Sequence, residues 1–183
     1  MANTATRIVN GQQTQVNEYP WQVGLVSTGR QTPFCGGSII SPLHILTAAH
    51  CTEGKTTSTM RVLLGEHDTT DSDADIRTIS AITDHPDYIG GVENLWANDF
   101  SILTLSSPIT YSRTMAPVCL PSDDSQLYTG QLATVIGWGL TSLGNTWGVF
   151  NHGGNLSPTL LETEVRVTSN ADCTNLYQKT MQE

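Results

Sequence analysis

Ile45-Leu46-Thr47-Ala48-Ala49-His50-Cys51 is a short apolar run that ends in small residues, delivers a histidine at a turn and is followed at once by a cysteine. The same rhythm repeats outward from it. Residues 21–26, 38–40, 45–48, 61–64, 76–82, 101–105, 131–136 and 160–168 are short apolar or alternating runs and read as strands. Stretches rich in Gly, Pro, Asn and Asp separate them, at 29–33, 65–75, 86–98, 121–130 and 139–158. Eight short strands between turn signals point to an all-β sandwich or barrel. Two pieces look helical: a turn at 48–52, and the tail, where Ser169 or Asn170 caps a short helix carrying Cys173, Leu176 and Tyr177. The segment 139–158 is long for a structureless loop and reads as functional or mobile.

The 183 residues amount to one domain or one and a half, enough to bury a sizeable core. Eight Lys and Arg against 17 Asp and Glu give a net charge of −9. That balance argues against a nucleic-acid binder, whose affinity comes from cations meeting phosphates, and against a polybasic membrane anchor. Charged residues make up only 14% and hydrophobic ones 38%. Thr, Ser, Asn, Gln and Gly fill the difference, as in an extracellular β protein with long loops. No apolar run is long enough to span a membrane as a helix. Residues 1–6 are polar and lack the apolar segment of a secretion signal, which leaves a cytosolic protein or a start that is not the natural one. The four cysteines, Cys35, Cys51, Cys119 and Cys173, show no CxxC or Cys/His ligand spacing, so zinc is not indicated. Four free thiols and an oxidised framework both stay open, and the composition favours the second.

Other stretches carry chemistry. Ala97-Asn98-Asp99-Phe100-Ser101-Ile102-Leu103 sets an aspartate at the mouth of an apolar strand. Arg7-Ile8-Val9-Asn10-Gly11 places a basic residue before two β-branched ones. Together with Cys35-Gly36-Gly37-Ser38-Ile39-Ile40, Tyr19-Pro20-Trp21-Gln22 and Ile136-Gly137-Trp138-Gly139, these segments resemble the trypsin-like, chymotrypsin-fold serine endopeptidases of the S1 family. The resemblance runs from Arg7 to the C-terminus. It implies an all-β fold of two antiparallel Greek-key barrels, the second incomplete in this chain, with the active site in the cleft between them. Residues 1–7 would end an activation segment and 8–183 form a C-terminally truncated peptidase domain, with 8–117 the first barrel and 118–183 part of the second.

Carried over position by position, the resemblance makes His50 the general base and Asp99 the carboxylate that fixes its tautomer. Arg7 and Ile8 match the activation cleavage site of a zymogen. Cys35 and Cys51 match a bridge beneath the histidine. Cys119 matches a cysteine tied to an upstream pro-segment and Cys173 one with a downstream partner, so both are expected to be unpaired in this chain. The family's nucleophile sits in Gly-Asp-Ser-Gly-Gly, which this sequence does not contain. Ser72 and Ser125 follow aspartates without flanking glycines, Ser38 belongs to a strand motif, and no Gly-x-Ser-x-Gly elbow occurs.

The acidic loop from Glu66 to Asp75 falls where some family members bind calcium through oxygen ligands. It is about two residues shorter than that version, which makes Glu66 a weak calcium candidate beside the simpler reading of a solvated loop. Asn155-Leu156-Ser157 is a glycosylation sequon weakened by Pro158. His44, His67, His85 and His152 read as surface or structural. Trp21 and Trp138 read as core, and Trp96 and Trp147 as loop residues that could line subsites. The expectation is a secreted, zymogen-derived serine endopeptidase acting by an acyl-enzyme route. Its partners would be protein or peptide substrates, protein inhibitors and an activating protease. It would be monomeric at full length and use no cofactor. The chain alone is expected to be unstable and inactive. The alternative is a non-catalytic protease homologue whose cleft serves binding or regulation.

Overall fold

The computed structural model describes residues 11–71, 74–90, 97–123, 125–140 and 156–180. Among these, the strands are β1 (Gln12–Gln13), β2 (Gln22–Ser27), β3 (Cys35–Ile39), β4 (His44–Thr47), β5 (Met60–Leu64), β6 (Asp75–Arg77), β7 (Ile79–Asp84), β8 (Ser101–Leu105), β9 (Leu132–Gly137) and β10 (Leu161–Arg166). The helices are α1 (Ala49–Thr52) and α2 (Asn170–Thr180). The chain is all-β in architecture, as the sequence implies.

Seven strands form one antiparallel sheet in the order β6-β5-β2-β3-β4-β8-β7. The sequence predicts a single strand over 76–82, but the chain breaks at Thr78, whose carbonyl accepts the Ser106 N–H at 3.0 Å. β6 pairs with β5 at one edge of the sheet and β7 with β8 at the other, with a register shift between Ile79 and Ala81. One continuous stretch therefore serves both edges, and the sheet curls until β5 touches β7. The sheet is curled rather than closed: among the described residues no backbone pairing joins β6 to β7, which remain its two edges.

Alternation decides what faces inward. In β8, Ser101, Leu103 and Leu105 are buried, and in β4 Ile45 and Thr47 are. The register pairs Ile45 with Leu103 and Thr47 with Ser101, so inward residues meet inward residues. With Val23, Leu25, Ile39, Met60, Val62 and Leu64 they form one dry core, capped by half-buried Trp21, Leu43 and Met115. Each fully buried Val, Leu or Ile contributes about 1.5–3 kcal/mol of transfer free energy. Gly37 is required where β3 crosses β4: a Cβ there would stand 2.9 Å from the Leu46 carbonyl oxygen.

A second sheet has the order β1-β10-β9, so the first strand of the chain pairs with β10 across the expected boundary at 117/118. β1 is too short to leave a hydrophobic pattern. Backbone and side-chain bonds tie this sheet to the loop after β5. The His67 carbonyl accepts the Trp138 indole N–H at 3.2 Å and the Leu160 N–H at 2.8 Å, a structural role for His67. Thr69 N–H donates to the Pro158 carbonyl at 2.8 Å. Trp138 is buried, as expected. α2 is capped by Ser169, whose hydroxyl accepts the Asp172 N–H at 3.1 Å.

Candidate active site

The register of β4 against β8 builds the site. Thr47 lies opposite Ser101, so the end of one strand and the start of its neighbour leave the sheet at the same corner. Thr47 is pinned by its hydroxyl donating to the Gly36 carbonyl at 2.7 Å. Extended Ala48 then turns the chain into the single turn of α1. Ala49 and Cys51 face the core, while the His50 side chain stands 52% exposed. Thr52 closes the turn, its hydroxyl 2.8 Å from the Ala49 carbonyl and 2.6 Å from Asp84 Oδ1.

Asp99 approaches from the other side. Asn98 takes a left-handed conformation at φ +58, which asparagine tolerates, and its amide donates to the Asp87 carbonyl at 3.1 Å. This bend turns Asp99 back over α1. Its Oδ1 accepts the His50 backbone N–H at 2.8 Å and its Oδ2 lies 2.6 Å from His50 Nδ1. A carboxylate only accepts, so Nδ1 carries the proton and Nε2 holds the lone pair. Partial burial opposes the charge on Asp99. The ring and backbone N–H groups of His50, with the Ala49 N–H, outweigh it and hold the carboxyl below its usual range.

Cys51 points beneath the ring and is joined to Cys35 of β3 by a disulfide, with their Cα atoms 6.1 Å apart. This is the pairing that the resemblance implies. Cys51 Sγ lies 3.4 Å from His50 Nε2. Cys119 and Cys173 are free and exposed. Arg7 and Ile8 lie outside the described residues, as do Ser72, Trp96, Trp147, His152 and Asn155. In the loop after Glu66, Asp68 Oδ1 accepts the Thr70 N–H and hydroxyl at 2.9 and 2.6 Å, and Asp75 holds Arg77. Among the described residues, no set of three carboxylates converges there.

The surroundings of His50 add residues that the sequence does not single out. A cavity of about 180 Å³ opens between the two sheets, lined by Phe34, Cys35 and Gly36 on one side and Ile136, Gly137 and Trp138 on the other. The Lys55 ammonium sits 4.9 Å from the Phe34 ring centre. Tyr88 donates a long 3.4 Å bond to Glu53. Desolvation, with Glu53, Asp99 and Asp84 nearby, pushes its phenol above the usual value. Phe34 borders a Cys-Gly-Gly motif, but nothing local marks Tyr88.

The profile of the trypsin family matches residues 8–183. The chain belongs to the trypsin family. A venom serine protease of Polistes dominula is 35% identical over 182 residues, covering 94% of this chain and 60% of the relative. Venom serine protease 34 of Apis mellifera is 33% identical over 184 residues, covering 96% of this chain and 43% of the relative. The chain thus spans less than two thirds of the length of these relatives. The fold matches that of neuropsin, a serine protease expressed in the limbic system of mouse brain, with a TM-score of 0.76 at 23% identity. That match covers 92% of this chain and 69% of neuropsin. Among the described residues, no helix is long and apolar enough to cross a membrane.

Proposed function

We propose that the protein to which this chain belongs is a secreted serine endopeptidase, and that His50 and Asp99 are its base and orienting carboxylate. The observation that carries this reading is the two-point clamp of Asp99, one oxygen on the His50 backbone and the other on Nδ1. It fixes the tautomer that leaves Nε2 a proton acceptor on an exposed imidazole at the corner of the seven-stranded sheet. In that role Nε2 takes the proton of a serine hydroxyl as the hydroxyl attacks a peptide carbonyl, then returns it to the leaving amine. Asp99 stabilises the imidazolium between those steps. The serine belongs to a Gly-Asp-Ser-Gly-Gly segment absent from this sequence, carried by the remainder of the second barrel. On this reading, residues 8–117 and 118–183 divide between the two barrels. Cleavage after Arg7 activates the zymogen, and Cys119 and Cys173 pair with cysteines outside these 183 residues.

The test is made on the protein encoded by the complete transcript. After trypsin cleavage behind Arg7, a fluorophosphonate probe should label one serine and peptide anilides should be hydrolysed. Asp99→Asn should lower kcat by about 10⁴, the loss documented for that change in a trypsin-type triad. His50→Ala should abolish labelling. An intact, cleaved protein that neither labels nor turns over would overturn the reading and leave a binding or regulatory homologue. The 183-residue chain alone should hydrolyse none of these substrates.

A further inference from the structure

We propose that His85 is a positioning residue for Asp99: its ring nitrogen sets the turn that holds the Asp99 backbone, and through it the clamp on His50. This rests on the reading of Asp99 as the carboxylate that orients His50. The carboxylate is gripped from the α1 side, but the backbone must also be brought there. Asp99 is the middle of a three-residue turn in which the Phe100 N–H donates to the Asn98 carbonyl at 2.8 Å. Both flanks of that turn are tied to residues 85–88. On one side the Asn98 amide donates to the Asp87 carbonyl at 3.1 Å. On the other, the His85 N–H donates to the Phe100 carbonyl at 3.0 Å, and the two rings meet edge-on with centres 4.6 Å apart.

His85 also shapes the piece that does the holding. Residues 85–88 form a β-turn, with the Tyr88 N–H donating to the His85 carbonyl at 2.9 Å and Pro86 where its fixed φ is favoured. Inside the turn the Asp87 N–H donates to His85 Nδ1 at 3.1 Å. A backbone N–H only donates, so Nδ1 of His85 holds the lone pair, the opposite tautomer from His50. The bond mimics an Asx-turn, in which a side-chain acceptor takes the N–H two residues on. It fixes Asp87 from one side, and the carbonyl on the other side of the same residue is the one that holds Asn98. A relay thus runs from His85 through Asp87 and Asn98 to Asp99. Asn98 needs that support because it carries the left-handed φ of +58 that turns the chain back over α1. Without the acceptor, Pro86 and the Tyr88 bond keep the turn compact, but the Asp87 peptide is free to rotate and its carbonyl no longer aims at Asn98. Asp99 then sits less squarely on Nδ1. The loss falls on the proton transfer rather than on substrate binding.

The experiment separates the acceptor from the ring. His85→Phe keeps a ring against Phe100 and removes the acceptor. His85→Asn removes the ring and restores an acceptor that reaches the N–H two residues on. The first readout is the proton NMR signal of His50 Nδ1–H in the 183-residue chain, which lies far downfield when a carboxylate holds the proton. The parent should show it, His85→Phe should move it upfield and speed its exchange, and His85→Asn should restore it. The second readout is kcat and KM of the cleaved protein encoded by the complete transcript. His85→Phe should lower kcat by up to about 10²-fold, the cost of a misplacement of about 1 Å, with KM unchanged. His85→Asn should recover most of that loss. The proposal fails if His85→Phe keeps the parent's signal and kcat, if His85→Asn is no better than His85→Phe, or if the loss falls on KM. It also fails if far-UV circular dichroism shows the fold lost in His85→Phe, because the turn then carries stability and not aim. In each of these cases the Asp99–His50 pair and the proposed function stand. A parent protein that is inactive while the downfield signal is present counts against the endopeptidase reading alone, and the signal in the variants then decides the proposal. If the parent chain lacks the signal, or Asp99→Asn leaves it unchanged, the clamp is absent in solution and both readings fall.

Discussion

Leu25, Ile45 and Leu103 of the curled seven-stranded sheet have no accessible surface, whereas Leu132, Val135 and Val165 of the β9–β10 ribbon keep 57%, 45% and 43% of theirs. Both regions are built from the same kinds of residue on antiparallel strands. The difference is curl. In the first, β6 and β7 follow each other in the chain and cover opposite edges, so every inward side chain meets another. In the second, three strands form a ribbon, and its buried apolar residues cluster at one end, around Trp138, Leu160 and Leu161. Polar ties through His67 and Glu162 fix that sheet in place. The comparison also locates the candidate chemistry. His50, Asp99 and the disulfide all hang from the seven-stranded sheet, and the three-stranded sheet contributes only one wall of the adjoining cavity.

The largest effect should come from opening the dry core. Leu25→Ala removes buried volume that the curled sheet cannot refill, and about 2–5 kcal/mol of stability should be lost in denaturant melts. Replacing both Cys35 and Cys51 with alanine should cost about 3 kcal/mol, the value for a loop of about 15 residues, since the pair lies 16 positions apart. Both losses fall on the sheet that carries His50. Val165→Ala, on the open ribbon, should cost no more than about 1 kcal/mol. Equal losses from Leu25→Ala and Val165→Ala would break the comparison. Amide exchange sharpens it: β2 and β5 should exchange last, and β9 well before them.

Much of this was readable in the residues. The strand ending at Thr47, the turn at His50 and the apolar strand from Ser101 stand where their local patterns put them. The Asp99–His50 pair is different. Forty-nine positions separate the two, and only the resemblance joins them in sequence; physically, the Thr47–Ser101 register does it. Two features had no local signal. The break at Thr78 depends on two sheet edges that lie far apart in sequence. β3 begins at Cys35 because Gly36 and Gly37 pair with β2, although glycines carry no periodicity.

The smallest effect concerns how the open ribbon is held. The Tyr19 hydroxyl donates to Glu162 of β10, which also accepts the Gln12 amide at 2.9 Å. The hydrogen bond to Glu162, then burial, pushes the Tyr19 phenol up to about 12. The same bond, with Gln12, holds the Glu162 carboxyl below its usual range. The signs follow from linkage. A phenol raised in the folded state stabilises it fully below its unfolded value near 10, and loses that contribution as pH climbs towards 12. A lowered carboxyl contributes above its unfolded value near 4.3 and loses that contribution as pH falls through its folded value. Tyr19→Phe removes the first dependence and the Tyr19 share of the second, leaving the share that Gln12 supplies. The gap in melting temperature between parent and variant should therefore be flat from about pH 5 to 10, narrowing at either end. The ribbon amides of β10 should follow the same curve in hydrogen exchange while those of β2 do not. A gap that stays constant up to pH 12 would mean that the ribbon is held by its Trp138 end alone.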